Sequence, residues 1–340
     1  MSTPISLFVP GRLCLAGEHS DWAASYRLQS PSIAPGAALV VGLQQGLRAT
    51  ASRIESDLDV SSSLAGFFSI SPCDLFTVSR SKNPWRLSAA VGFIIRQRYG
   101  VTGLSLNVTG QTLPAGKGLS SSAAVCVLTA RAFNVLYRLH LTTSGEMEVA
   151  YAAERLTGSP CGRMDQVVAA GPGRIARMKF DGDFVEHRVL EVPDGRPIYI
   201  VLADLGMQKD TKAILTGLHR AYPDGDSLDC KTLQDALGAT NLELIAEMEE
   251  AITQSKLERL GQLFMYAQKV FDDAGIPFCP DELRSPALHK ILKDRDLQRY
   301  SYGGKGACSW QPRRRFGAVC RERSRKRHNV NATAARKTED

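Results

Sequence analysis

Residues 5–16 and 38–49 alternate apolar with other side chains at a spacing of two, the period of a half-buried strand, and are predicted as strands. Residues 86–99 have helical spacing and stop at Gly100. A strand predicted over 104–108 runs through a loop at 112–118 into a long apolar helix over about 119–139. The next helix, about 144–156, has Ser144 as its expected cap and Glu146 and Glu148 in its first turn. Strand-like segments at 174–180 and 198–205 precede a helix-rich second half, periodic at 233–253, 257–274 and 285–297. The pattern is α+β without an internal repeat, and the Pro and Gly cluster at 192–197 marks the expected domain boundary.

At 340 residues, 44% hydrophobic and 23% charged, the chain has the composition of a globular protein of about two domains. It has neither a long uncharged apolar run nor a basic, cleavable start, so a cytoplasmic location is expected. The cysteines, Cys14, Cys73, Cys126, Cys161, Cys230, Cys279, Cys308 and Cys320, are scattered without C-x-x-C spacing and read as small reduced core residues. The net charge of +7 raises the question of a nucleic-acid partner, but residues 308–340 hold ten Lys or Arg against three Asp or Glu and account for all of it. The rest is neutral, and the tail lacks the interleaved aromatics of a nucleic-acid surface, so neither a nucleic-acid nor a membrane partner is expected.

Chemistry concentrates in three places. Pro114-Ala115-Gly116-Lys117-Gly118-Leu119-Ser120-Ser121-Ser122 leads into a helix: glycines let a phosphate approach the backbone, the helix start offers unpaired N–H groups, and hydroxyls can bind phosphate oxygens or Mg²⁺. The order differs from the G-x-x-x-x-G-K-[ST] loop, since Lys117 precedes Gly118. Glu154 and Asp165, eleven positions apart, can divide metal binding from activation of an attacking hydroxyl. Finally, Val9-Pro10-Gly11-Arg12 opens a strand that ends in Glu18-His19-Ser20-Asp21, a polar cluster suited to a ligand with several hydroxyls. Asn83-Pro84-Trp85 could border a base, although a Trp heading an apolar helix is more often core; Gln208, Lys209, Asp210 and Thr211 could face the acceptor.

These stretches resemble the motifs of the galactokinase, homoserine kinase, mevalonate kinase and phosphomevalonate kinase (GHMP) superfamily: P-G-R-x-x-L-x-G-E-H-x-D-[YW], P-x-x-x-G-L-[GS]-S-S-A-A and E-R-x-x-x-x-P-x-G-x-x-D. Asp21 after Glu18-His19, and Met164-Asp165-Gln166, look like the sugar kinases, galactokinase above all. The resemblance implies a two-domain GHMP kinase fold, with a ribosomal protein S5 domain 2-like N-terminal domain over 1–192 and a ferredoxin-like, helix-rich C-terminal domain over 193–307. It implies an ATP- and Mg²⁺-dependent kinase of a sugar or sugar-like metabolite. Asp165 would be the base and Arg12 its partner; Pro114, Gly116, Lys117, Gly118, Leu119, Ser120, Ser121 and Ser122 would hold the nucleotide; Glu154 and Ser122 the metal; and Glu18, His19 and Asp21 the acceptor. The acceptor's identity and the oligomeric state stay open.

Gly303-Gly304-Lys305-Gly306-Ala307 resembles the start of the superfamily's third, glycine-rich phosphate loop, but Cys308-Ser309-Trp310-Gln311-Pro312 and an arginine run follow. Residues 309–340 have almost no apolar periodicity and are expected to be disordered. A catalytically impaired sugar- and ATP-binding sensor is therefore the alternative to an active kinase. The expectation is a reading-frame shift near Cys308: displaced by one base, the Trp-Gln-Pro codons give Gly followed by Ser or Asn, residues that fit the missing loop. Sequencing the encoding DNA tests this, and absence of a Gly-rich, apolar-patterned continuation in the other frame rejects it.

Overall fold

The computed structural model describes residues 3–113, 119–159, 161–193, 197–208, 210–307 and 313–320. Its larger sheet contains β1 (Ile5–Ala16), β2 (Gly36–Arg53), β3 (Leu58–Ser62), β4 (Gly66–Ile70), β5 (Leu104–Gln111), β6 (Ile175–Asp181) and β7 (Phe184–Val189). The long β2 organises it. Antiparallel β1 lies along most of its length, while β6 takes its first half and β5 its second. β3 joins β5 in parallel, and β4 and β7 form the edges.

Period-two patterning gives β2 two buried faces. Ala38 and Val40 join one core with Val9 and Cys14 of β1, whereas Ala37 and Leu39 join another with Leu13 and Leu15. The helices begin with the short α1 (Ser20–Ala23) and α2 (Leu75–Ser79). Then α3 (Arg86–Tyr99), α4 (Ser121–Tyr137) and α5 (Thr143–Leu156) cover the first face. The second half supplies α6 (Thr211–Leu218), α7 (Leu228–Leu237), α8 (Ala239–Thr253), α9 (Leu257–Gly275), α10 (Pro280–Leu283), α11 (Pro286–Leu292) and α12 (Arg295–Tyr300). Ile245, Met248, Leu260 and Phe264 of α8 and α9 cover the second face, so one apolar core joins both halves of the chain.

The smaller sheet consists of β8 (Ile200–Gln208), β9 (Ser301–Ala307) and a central β10 (Arg313–Cys320), antiparallel to both neighbours. The expectation of disorder from 309 onward is thus corrected over 313–320. Arginines had hidden the short Phe316-Gly317-Ala318-Val319 run, and β8 and β9 both have edges to pair. The remaining tail residues, 308–312 and 321–340, lie outside the described residues. Gly303 and Gly304, read as phosphate-loop glycines, belong to β9. A Cβ on Gly303 would sit 2.1 Å from the Gly261 carbonyl oxygen, so here glycine permits the strand to lie against α9.

Other boundaries shift for local reasons. The periodic stretch 233–253 divides at Gly238, whose φ of −112° and ψ of −102° leave helical space. Cys14, Cys126 and Cys161 are buried, Cys73 is exposed, and among the described residues six cysteines are free thiols. Helix α5 starts one residue before Ser144, because the extended Thr142 accepts the Gly145 N–H on Oγ1 at 3.2 Å. Thr142→Ala should therefore cost about 1 kcal/mol in urea unfolding, and Ser144→Ala no more than about 0.5 kcal/mol.

Candidate active site

The first and second motifs meet through the backbone. Strand β1 carries Arg12, whose N–H donates to the carbonyl of Leu119 at 3.1 Å, just ahead of α4. The Arg12 side chain, 3% exposed, crosses to Asp165: Nε donates to Oδ1 at 3.0 Å and a terminal nitrogen donates to the same oxygen. Burial is the strongest single influence and opposes the guanidinium charge, but the charge and hydrogen bond of Asp165, with Cys14 and Asp21, together outweigh it and the Arg12 pKa rises. Asp165 itself opens a short 3₁₀ turn, 165–170, packed against α4, α5 and β1.

Glu154, near the end of α5, is 2% exposed. It accepts the Ser122 hydroxyl and, at 2.6 Å on Oε2, the amide N–H of Gln166. Burial first and the nearby Asp165 second push its carboxyl from 4.5 up to about 7, against the pull of the Ser122 and Gln166 hydrogen bonds. Two polar atoms here have no partner among the described residues: the Gln166 Oε1 and the buried Ser120 Oγ. Ser120 holds a left-handed φ of 57° immediately before α4. Of the phosphate-loop residues read from the sequence, Leu119, Ser120, Ser121 and Ser122 are described, and Pro114, Gly116, Lys117 and Gly118 lie outside the described residues.

The acceptor triplet divides. Asp21 stays beside the Arg12–Asp165 pair. It accepts the Met164 N–H at 3.4 Å, and burial, then Asp165, raise its pKa. A Cβ on Gly162 would fall 1.9 Å from an Asp21 oxygen, which explains a glycine three residues before Asp165. His19, at a left-handed φ of 71°, accepts Trp22 Nε1–H on Nδ1 at 3.0 Å and stacks on Phe271 at 5.6 Å. Glu18 forms an ion pair with Lys305 of β9; the two side chains are 14% and 7% exposed. Sequence reasoning placed Lys305 only in a glycine loop and missed this pairing across 287 positions. A single lysine inside a glycine-rich strand was the available signal. Gln166 was visible in Met164-Asp165-Gln166, but its link to Glu154 was not. Trp85 is 6% exposed within the main core, as its helix-head position implied.

No three His, Cys, Asp or Glu side chains among the described residues cluster as a metal site. Glu154 and Ser122 are a two-oxygen set, the donor chemistry Mg²⁺ takes when phosphate oxygens and water complete its shell. Residues 86–173 match the family of GHMP kinases N terminal domains, spanning α3, α4, Glu154 and Asp165. That segment of the chain thus carries the signature of a GHMP kinase N terminal domain. Mevalonate kinase from Thermococcus sibiricus is 26% identical over 191 residues, 55% of this chain and 54% of that one. The chain thus spans about half the length of the curated relatives it matches. Galactokinase from Lactococcus lactis, solved with galactose, has the same fold at a TM-score of 0.69 and 14% identity, covering 94% of this chain and 86% of that one. The Methanococcus jannaschii mevalonate kinase reaches 0.67 at 14% identity, with 94% and 91% covered. The motifs lean toward sugar kinases, whereas these sequence relatives are mevalonate kinases. Among the described residues, no helix is long and apolar enough to cross a membrane.

The Glu154 carboxyl generates a prediction. Between pH 4.5 and about 7 the folded chain keeps a proton there that the unfolded chain has released, so stability falls as pH rises through that window. The rise corresponds to about 3 kcal/mol, fully felt above pH 7. Glu154→Gln should lose this part of the slope and exceed wild type in stability at pH 8, measured by urea unfolding across pH. Parallel profiles for the two proteins would refute the assignment.

Proposed function

We propose that the protein is an ATP-dependent kinase that moves the terminal phosphate of ATP onto a hydroxyl of a sugar or sugar-like metabolite. The observation that carries this reading is the buried Arg12–Asp165 pair, set beside the Glu154–Ser122 contact at the start of α4. Asp165 takes the acceptor's proton while the hydroxyl oxygen bonds to the γ-phosphorus and the bond to the bridging oxygen of ADP breaks. Arg12 keeps the Asp165 carboxylate oriented and stabilises negative charge on the transferring group. The unpaired Ser120 hydroxyl and the first N–H groups of α4 supply donors to phosphate oxygens, and Ser121 lies in the same turn. Glu154 and Ser122 would hold Mg²⁺, which neutralises phosphate charge when bound. For Pro114, Gly116, Lys117 and Gly118 the motif resemblance is the support. Asp21, next to the base, faces the acceptor hydroxyls; Glu18 and His19 extend that surface toward α9.

The break after Ala307 favours a second reading, a protein that binds sugar and ATP but turns over poorly. A coupled ADP-release screen against sugars and polyols, with Asp165→Asn as control, separates the two. The kinase reading expects turnover with at least one acceptor and a loss of about 10²- to 10⁴-fold in kcat for Asp165→Asn. Wild type and variant behaving alike on every compound would reject it.

A further inference from the structure

Gln166 joins the two carboxylates of the candidate site. It follows Asp165 in the 165–170 turn, is 1% exposed, and donates from Nε2 to Glu154 Oε2 at 2.6 Å. Glu154 belongs to α5 and also accepts the Ser122 hydroxyl of α4, so the amide ties the Glu154–Ser122 contact to the turn that carries Asp165. The other end of the same amide is idle: Oε1 is buried without a hydrogen-bond partner among the described residues.

A buried carbonyl without a partner costs about 1–3 kcal/mol, so folded interiors seldom leave one without a reason. The orientation of this amide is set by its neighbour. An ionised Glu154 only accepts, which keeps Nε2 toward it and turns Oε1 away. Whatever satisfies Oε1 must therefore donate a hydrogen or be a cation. Phosphate oxygens at the start of α4 are acceptors and would leave it unpaired. The acceptor hydroxyl gives its proton to Asp165 in the proposed reaction. A water held by a divalent cation turns its hydrogens outward and donates strongly, and Mg²⁺ keeps several such waters when few protein oxygens bind it.

We propose that Gln166 is a positioning residue of the cation site: its N–H holds Glu154 in place as a ligand, and its Oε1 accepts from a water carried by the cation. The proposal rests on the kinase reading for the cation that accompanies the phosphates. One side chain then orients the protein ligand and anchors the cation's water, a double task that uses both ends of the amide. A packing role alone leaves the idle oxygen unexplained.

Mn²⁺ titrated into the full chain beside the β,γ-imido analogue of ATP, and followed by electron paramagnetic resonance, tests it. Gln166→Met removes both ends of the amide at nearly constant volume and should weaken Mn²⁺ binding about 10- to 100-fold. Gln166→Glu keeps an oxygen at the Oε1 position and adds a charge, so it should bind Mn²⁺ more tightly than wild type by about tenfold or more. Urea unfolding reads the same contrast without nucleotide: Mn²⁺ should raise the midpoint most for Gln166→Glu, less for wild type and least for Gln166→Met. Equal Mn²⁺ affinities for wild type and Gln166→Met, no Mn²⁺ binding by wild type, or Gln166→Glu binding no tighter than wild type would overturn the proposal. The last comparison decides even where Gln166→Met does not fold. The ADP-release screen separates this from the kinase reading. Mn²⁺ affinities in the expected order without ADP release sink the kinase alone, whereas turnover with Mn²⁺ affinities unmoved by the substitutions sinks the role of Gln166 alone.

Discussion

The contact on which the site depends is the buried ion pair of Arg12 and Asp165. Removing one partner from such a pair leaves an uncompensated charge in low dielectric, at a cost of about 3–5 kcal/mol. The pair therefore fixes more than the two side chains. It ties β1, which runs the length of β2, to the turn after α5, and the Arg12 backbone bond to Leu119 ties the same strand to the start of α4. Three segments far apart in the chain share one anchor, and that anchor is also the charged centre of the candidate chemistry.

Around it the fold gathers more negative charge than it neutralises. Asp21, Glu154 and Asp165 are all buried, and Arg12 pairs directly with Asp165. Burial and the Asp165 charge push both Asp21 and Glu154 upward. Structural cores avoid such crowding, because apolar packing of the same volume stabilises as well or better. A proton held by Glu154 below about pH 7 relieves part of the imbalance, and under the proposed kinase reading a cation bound with phosphate would relieve the rest.

The sequence made local order legible where a single periodicity dominated. β1 and α3 fall within the predicted spans, and α4 lies inside the longer helix expected around it, because alternation and helical spacing over a dozen residues report burial directly. Adjacency of Arg12, Asp165, Glu154 and Ser122 was legible only through motif resemblance, since spacing along a chain says nothing of distance across a sheet. The Lys305–Glu18 pair was illegible for that reason, and the glycines beside it pointed elsewhere. They are explained by the close approach of β9 to α9 at Gly261. The cap of α5 was misread because Thr142 and Ser144 are chemically equivalent caps, and only backbone geometry chooses between them.

The end of the chain separates what a fold needs from what a site needs. β8 and β9 face each other across a gap that one antiparallel strand fills, and residues 313–320 fill it. Strand pairing is made by backbone N–H and C=O groups, so it tolerates an arginine run that no packing pattern would choose. The sheet can therefore close whether or not the residues after Ala307 are those the superfamily pattern expects. Phosphate binding is less forgiving, because close approach of an anion to successive backbone N–H groups favours glycine where a side chain would intervene. Under the proposed kinase reading, the arginine-rich composition after Ala307 would thus weigh on nucleotide affinity more than on the architecture that positions Asp165.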